Sequence, residues 1–208
     1  MARARGTSAG RPEGARPRQG LLLGRRRLIF VTVGSQLGFD RMVGAVADWA
    51  RSRAEGTGMH GAGMNGPGFD GTGTPVEGTG MFLQTGATKL DLAGFEHMPV
   101  LSADEIRRKF DQASLVVAHA GTGTIIECML RGKPVIVMPR SAKLHETRND
   151  HQFATARRFQ QRAGVFVAWD ETELPALLDR ASTLKGGTTI NRHADQRLLD
   201  ALRAFVAG

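Results

Sequence analysis

Two clusters of polar residues in this sequence have the types and spacing needed to bind a charged, hydroxyl-rich ligand. The first is the turn His119-Ala120-Gly121-Thr122-Gly123-Thr124, which follows an apolar run and comes directly before a helical pattern. Glycines let a backbone approach a ligand closely, and the first N–H groups of a helix favour an anion such as a diphosphate. The turn therefore predicts a site for a phosphorylated ligand.

Glu127 lies about one turn inside the predicted helix, set back from the glycine-rich turn. A carboxylate can accept two hydrogen bonds in one plane, which suits the paired hydroxyl groups of a ribose. A glutamate near a helix start also interacts favourably with the helix dipole, so its position fits a purely structural role as well. Both roles stay open at this point.

The second cluster follows the next apolar run, at residues 134–138. It comprises His145, Glu146, Asn149, Asp150, His151 and Gln152. Ligands of open α/β sheets bind beyond the carboxyl ends of the strands, so these side chains could recognise sugar hydroxyls beside the diphosphate. The alternative is a solvated helix start capped by Asn149 or Asp150. The two histidines share no helical face and no cysteine is near them, so no metal site is predicted. The sequence leads to no prediction of a cofactor.

These clusters need strands and helices that alternate along the chain. Apolar, β-branched runs predict strands at 28–33, 81–84, 114–118, 134–138 and 165–168. Helical spacing predicts helices at 39–51, 102–110, 124–130, 149–161, from about 171, and at 191–206. Ser102, with Glu105 three residues later, predicts a capping box. The alternation predicts an α/β fold with a doubly wound parallel sheet.

Length and charge limit the number of domains and the class of partner. A chain of 208 residues that is 41% hydrophobic can bury one ordinary core, so residues 28–208 are expected to form a single domain. Residues 1–27 contain eight arginines and one acid, which leaves +1 of the net charge of +8 for the rest of the chain. This segment is predicted to be a disordered tail that anionic lipid could attract, and no nucleic-acid partner is predicted.

The segment 54–80 has a different composition from the sequence around it. Ten of its 27 residues are glycine, so a flexible surface insertion is predicted. No apolar run is long enough to span a membrane or to serve as a signal peptide. The single cysteine, Cys128, fits a reducing compartment. These features together predict a cytoplasmic protein.

Three stretches, in order, resemble the C-terminal domain of glycosyltransferase family 28: VTVGSQLGFDRMVGAV, HAGTGTIIECMLRGKPVIVMPR and NDHQFATA. The resemblance covers about residues 28–170 without the insertion. It is greatest for single-domain members, namely the cytosolic subunit of the eukaryotic enzyme that adds the second GlcNAc to lipid-linked oligosaccharide, and the bacterial PssE-like exopolysaccharide proteins.

The resemblance implies the Rossmann-like C-terminal half of a GT-B glycosyltransferase. In that architecture the C-terminal half binds a UDP-sugar and the other half receives the acceptor lipid. A chain with one half therefore implies a membrane-anchored, PssD-like partner that supplies the acceptor half and recruits this chain to the cytoplasmic face of the membrane.

The resemblance also implies roles for individual residues. Gly34, Ser35 and Gln36 resemble the first loop that faces the diphosphate, and residues 119–124 resemble the second. Glu127 matches the glutamate that binds the ribose hydroxyls, and Asp150, His151 and Gln152 fall where the family contacts the donor sugar.

The reaction implied by the resemblance is transfer of a hexose from a UDP-sugar to a polyprenyl-diphosphate-linked glycan, with inversion, in exopolysaccharide or lipid-linked oligosaccharide synthesis. This chain would stabilise the departing UDP. The general base is expected in the partner, or on His119 or His151.

Two other functions compete with this one. A non-catalytic UDP-sugar-binding regulatory subunit would have the same motifs. A nicotinamide dehydrogenase is disfavoured, because Gly34-Ser35-Gln36-Leu37-Gly38 is not the expected dinucleotide-binding pattern. The donor sugar stays open: Arg140, Lys143 or Arg148 could pair with a uronate, although a solvated surface position is the simpler explanation for them.

Overall fold

The computed structural model describes residues 27–35, 37–56, 68–69, 75–76, 80–190, 200 and 203–204. Its strands, in chain order, are β1 (Leu28–Thr32), β2 (Gly68–Phe69), β3 (Pro75–Val76), β4 (Gly80–Gln84), β5 (Glu96–Met98), β6 (Ala113–His119), β7 (Val135–Met138) and β8 (Val165–Val167). Six of them form one parallel sheet in the order β5-β4-β1-β6-β7-β8, and β2 pairs with β3 in an antiparallel pair outside it.

Helices cover both faces of the parallel sheet. They are α1 (Asp40–Gly56), α2 (Ala103–Gln112), α3 (Thr122–Leu130), α4 (His151–Phe159) and α5 (Leu174–Leu178), with a short 3-10 helix at Ala142–Leu144. Side chains of β1 alternate between two cores, since Ile29 and Val31 pack with α1 and α5 while Phe30 packs with α2, α3 and α4. Burial on both faces explains why β1 is a continuous apolar run. The predicted doubly wound sheet is confirmed.

The direction in which strands are added to the sheet reverses beside β1. The chain first adds β4 and β5 on one side of β1, then crosses over and adds β6, β7 and β8 on the other side. Thr32 at the end of β1 pairs with Ala118 near the end of β6. The loop after β1 and the turn after β6 therefore lie next to each other, at the reversal point where ligands of this fold class bind.

Several predicted boundaries were wrong by a few residues. Helix α1 continues to Gly56, so residues 54–56 belong to a helix and not to the insertion. Helix α3 begins at Thr122, which places Glu127 further than one turn inside it. Strand β5 was not predicted, because its three residues are all exposed and two of them, Glu96 and His97, are polar.

Other predicted segments lie mostly outside the described residues. These are the arginine-rich tail 1–27 apart from Arg27, most of the insertion 54–80, and the helix 191–206, of which only residues 200, 203 and 204 are described and are helical. No described helix is both long enough and apolar enough to cross a membrane.

Candidate functional site

A cavity of about 280 Å³ opens where β1, β6 and β7 end. Its walls come from the three loops that follow these strands and from the first residues of α4. The lining residues are Val33, Ser35, Leu37, His119, Gly121, Arg140, Glu146, Thr147, His151 and Gln152. Five of the predicted site residues are therefore brought together: Ser35, His119, Gly121, His151 and Gln152.

The His119 imidazole lies between the two glycine-containing loops. A Cβ atom at Gly34 would come within 2.6 Å of His119 Cε1, and one at Gly121 would come within 2.2 Å of Nε2. Gly34 also has a φ of +81°, which side chains rarely tolerate. These two glycines thus make room for the histidine ring. Gly123 differs, because a Cβ atom there would meet no described atom within 4 Å, so its backbone is open to a ligand.

His119 is a neutral residue at physiological pH. Burial, followed by the positive charge of Arg140, lowers the pKa of His119 to about 4. Its Nδ1 atom is buried and has no hydrogen-bond partner among the described residues. A group with this pKa is a weak base at neutral pH, which weighs against His119 as the residue that removes a proton from an acceptor.

The amino-terminal end of α3 is open at the wall of the cavity. Its N-cap is Gly121, no side chain caps it, and its first turn contains no acidic residue. The first N–H groups of a helix have no acceptor within the helix, and they point toward its positive end. Thr122 and Gly123 are exposed, whereas Ala120 is buried against α3 and β6. The geometry suits an anion bound at Gly121–Thr124.

A buried hydrogen-bond network fixes the loop after β1. The Thr32 hydroxyl donates to Gln84 Oε1 over 2.6 Å and accepts from the main-chain N–H of Gly34 over 3.2 Å. Gln84 Nε2 donates to the main-chain oxygens of Gly34 and Pro99. Both side chains are almost fully buried. The sequence did not indicate this network, because Thr32 and Gln84 lie 52 residues apart in ordinary strand patterns.

Arg140 is buried beside the cavity, so its interpretation as a solvated surface arginine was wrong. It is 4% exposed and donates hydrogen bonds to main-chain oxygens of both neighbouring loops. Its own main-chain N–H donates to Oε1 of the buried Gln152 over 3.1 Å. Arg140 and Gln152 therefore join the loop after β1, the loop after β7 and the start of α4.

Glu146 and Arg41 fix the rim of the cavity. Arg41 donates two hydrogen bonds of 2.9 Å to the carboxylate of Glu146 and one of 2.7 Å to Glu171. Glu146 also accepts from the main-chain N–H of Ser141. A two-pronged arginine–carboxylate pair fixes distance and orientation together. The pair thus connects the start of α1 to the loop after β7.

The start of α4 contributes His151 and Gln152 to the cavity, but not Asp150. The Asp150 carboxylate accepts from the main-chain N–H of Ala142 over 2.9 Å and makes no cap to its own helix. Asn149 Oδ1 accepts from the main-chain N–H of His151 and also contacts the His151 ring. The N-cap of α4 is Asp150 and has no side-chain cap, so Asn149 does not cap the helix from the N-cap position; it contacts His151 instead. The proposed contact of Asp150 with a donor sugar stays a prediction.

Glu127 lies outside the cavity lining. Its carboxylate forms an ion pair with Arg131 one turn further along α3, and Arg131 also donates to Asp111 over 2.8 Å. The side chain of Glu127 is 30% exposed. Binding of ribose hydroxyls by Glu127 would require the carboxylate to turn from Arg131 toward the ligand, and it stays a prediction. Gln36 lies outside the described residues.

This chain is similar in sequence to glycosyltransferases. Residues 28–184 match the model of the glycosyltransferase family 28 C-terminal domain. A UDP-N-acetylglucosamine transferase subunit ALG13 from Eremothecium gossypii is 38% identical over 71 residues, covering 34% of this chain and 33% of that protein.

A UDP-N-acetylglucosamine–N-acetylmuramyl-(pentapeptide) pyrophosphoryl-undecaprenol N-acetylglucosamine transferase from Parabacteroides distasonis is 32% identical over 139 residues, covering 60% of this chain and 36% of that enzyme. This chain thus spans about a third of the length of both relatives. The NMR solution structure of ALG13 matches with a TM-score of 0.50 at 18% identity, over 81% of this chain and 92% of that one, and shows a shared fold.

Proposed function

The chain belongs to the glycosyltransferase family 28 C-terminal domain family, and from this premise we propose that it is the donor-binding subunit of a two-component glycosyltransferase. The proposed reaction transfers a sugar from a UDP-sugar to a polyprenyl-diphosphate-linked glycan, in exopolysaccharide or lipid-linked oligosaccharide synthesis. One observation carries the proposal: the uncapped start of α3 lies at the wall of a polar cavity, at the point where the strand order reverses.

The diphosphate of the donor would bind between Ser35 and the first turn of α3. Bond breaking at the anomeric carbon leaves the electron pair on a diphosphate oxygen, so negative charge grows there during transfer. The N–H groups of residues 122–124, at the uncapped start of α3, would stabilise that charge. His151 and Gln152 would contact the donor sugar, and Glu127 the ribose, after release from Arg131.

The acceptor half is proposed to come from a second, membrane-anchored protein. This chain corresponds to about a third of the Parabacteroides distasonis enzyme. The Eremothecium gossypii relative is named as a subunit of a transferase. A partner of the PssD type would present the lipid-linked acceptor and recruit this chain to the cytoplasmic face of the membrane. We place the general base in the partner; the low pKa of His119 makes it a weak base at neutral pH, and His151 is the alternative on this chain. Inversion at the anomeric carbon follows from direct attack by the acceptor hydroxyl.

The test is co-expression of this chain with a candidate partner, followed by transfer of radiolabelled sugar to a lipid acceptor. We expect incorporation only when both proteins are present. Glu127→Gln is expected to abolish incorporation while the protein stays folded, because glutamine removes the charge and keeps the size. The matched control is Glu173→Gln, an exposed acid near α5 that lies outside the cavity. Full activity of Glu127→Gln would contradict the ribose-binding role.

A non-catalytic, UDP-sugar-binding regulatory subunit is the second candidate. The low pKa of His119 favours this candidate, because it makes His119 a weak base at neutral pH and a transferase needs a base to remove the acceptor proton. Calorimetry measures whether the chain binds UDP at all, which both candidates require. UDP binding without transfer by any pair of proteins would favour the regulatory role, and absence of UDP binding would contradict both.

A further inference from the structure

Arg140 has an unusual position for a residue with a permanent charge. Its guanidinium is buried at the cavity wall, and its central carbon lies 4.6 Å from the centroid of the Phe39 ring. Its hydrogen-bond acceptors are four main-chain oxygens, those of Val33, Leu37, Gly38 and Glu146. A guanidinium has five N–H donors and no acceptor, so carbonyl oxygens can satisfy most of it without any carboxylate.

The charge of Arg140 is not neutralised by an ion pair within the described part of the chain. Arg41, by contrast, forms ion pairs with both Glu146 and Glu171. Glu146 attracts Arg140 only at longer range, and both of its carboxylate oxygens already accept hydrogen bonds from Arg41. Burial lowers the pKa of Arg140, yet a guanidinium stays protonated in proteins. The cavity wall therefore contains a fixed positive charge.

This charge acts across the cavity on the turn that follows β6. After burial, the positive charge of Arg140 is the next largest cause of the low pKa of His119. His119 adjoins Gly121, the N-cap of α3. An anion at the start of α3 would therefore experience the fixed charge of Arg140 and the positive end of the helix at the same time.

We propose that Arg140 is a specificity-determining residue that makes this cavity prefer a nucleoside diphosphate over the corresponding monophosphate and over the uncharged nucleoside. The inference rests on the proposed function, because it assumes that the UDP part of the donor occupies the cavity. Four carbonyl oxygens already accept hydrogen bonds from the two terminal nitrogens of Arg140, so we expect it to act mainly as a fixed charge at a distance and not as a two-pronged ligand of the phosphates. The same charge favours departure of UDP, which becomes more negative as the bond to the sugar breaks.

The experiment compares the binding of UDP, UMP and uridine by calorimetry for the wild-type chain, Arg140→Gln and Arg140→Lys. Arg140→Gln is expected to weaken UDP most, UMP less and uridine least, by roughly tenfold for each unit of ligand charge, as for one charge pair in a partly hydrated site. Arg140→Lys retains the charge and is expected to retain the graded preference. Arg157→Gln, at an exposed position on α4, is the matched control and should bind all three ligands as the wild type does.

Ligand binding by the variants must also be measured in a way that remains valid when a variant is less stable than the wild type. Arg140→Gln leaves buried carbonyl oxygens without their donor, which is destabilising. The shift in urea midpoint that each ligand produces is therefore measured as well, since a ligand that binds only the folded chain stabilises it by an amount that grows with the logarithm of the ligand concentration divided by its Kd. The inference is supported if Arg140→Gln loses affinity most for UDP, less for UMP and least for uridine, while Arg140→Lys retains the preference for UDP.

Two results would overturn it, and they are distinguishable. If the wild type binds UDP but Arg140→Gln loses UDP, UMP and uridine equally, Arg140 only shapes the loops, and the inference alone fails. If the wild type does not bind UDP, the proposed function fails and the inference fails with it.

Discussion

Helices α2 and α3 begin at the same edge of the sheet and pack against the same face, yet their first turns are built in opposite ways. The start of α2 is closed by its own side chains: Ser102 Oγ accepts from the N–H of Glu105, and the Glu105 carboxylate accepts from the N–H of Ser102. The start of α3 has Gly121 as N-cap, no side-chain cap and no acid in its first turn.

The difference separates a structural helix start from one available to a ligand. In α2, a capping box satisfies two N–H groups that would otherwise lack an acceptor, and acidic residues complement the helix dipole. In α3, the same groups stay available beside a cavity with a buried positive charge. Chemistry at this edge of the sheet is therefore expected where the chain leaves its own N–H groups unsatisfied.

The largest effect is expected from Gly121→Ala. The added methyl group would lie 2.2 Å from His119 Nε2, so the ring or the turn must move. We expect a loss of about 1–3 kcal/mol in the free energy of unfolding, as for other overpacked sites. UDP binding should become undetectable by calorimetry.

The matched variant for this position is Gly123→Ala, two residues further along α3. Its methyl group would meet no described atom within 4 Å, so folding should be unaffected or improved. UDP binding should still weaken, because the methyl group occupies the space through which a ligand approaches. Normal UDP binding by both variants would show that the start of α3 is not the anion site.

Acid should act on the start of α3 through His119. The pKa of His119 is lowered from an ordinary value near 6.5 to about 4. Between these pH values the unfolded chain binds more protons than the folded one, so stability falls as the pH falls through this window. The loss attributable to His119 is at most about 3.5 kcal/mol, from about 1.4 kcal/mol per pH unit.

Urea titrations of the wild type and His119→Asn at several pH values measure this contribution. The difference in stability between the two proteins should shrink as the pH falls from 6.5 to 4. The carboxylates titrate in both proteins, so their contribution cancels in the difference. A constant difference across this range would show that His119 titrates normally in the folded chain.

Thr122→Glu would give α3 the acidic first turn that α2 already has. A glutamate at this exposed position should stabilise the helix start by about 0.3–1 kcal/mol. It should also compete with an anionic ligand and weaken UDP binding by roughly tenfold, equivalent to about 1.4 kcal/mol. Thr122→Gln is the control of equal size without the charge. Equal UDP affinities for the two variants would contradict an electrostatic role for this helix end.

The smallest effect on UDP binding is expected from Ser102→Ala, which opens the start of α2. Loss of the N-cap should cost about 1 kcal/mol of stability, measured by urea unfolding. UDP affinity should be unchanged, since α2 does not line the cavity. Weaker UDP binding in this variant would show that the two helix starts are coupled.

Much of the fold could be predicted because its causes are local. The strand at 28–33 was recognised from an apolar run that is buried on both faces, and the capping box at Ser102 from two residues three positions apart. The missed strand β5 has no such signal: it is short and exposed, and it pairs with β4 only because the neighbouring strand is already in place.

The candidate site was only partly predictable for the same reason. The structure brings five of the predicted residues to one cavity, because all of them lie at or after strand ends at the carboxyl edge of the sheet: Ser35, His119, Gly121, His151 and Gln152. Their role in binding stays a prediction. The sequence did not indicate one reason for Gly34 and Gly121, because the clash they avoid is with the His119 ring that lies between their two loops. Glu127 was expected near the ligand, but its carboxylate is paired with Arg131 in the described structure.

The sequence alone determined the alternation of strands and helices, the chemistry of the glycine-rich turn and the closed start of α2, because each depends on residues a few positions apart. The tertiary structure alone decided that β1 lies beside β6, that Thr32 reaches Gln84 and that Arg140 is buried among carbonyl oxygens. These features depend on contacts between residues 50 to more than 100 positions apart. Such contacts form only once the sheet is assembled, so no local pattern encodes them.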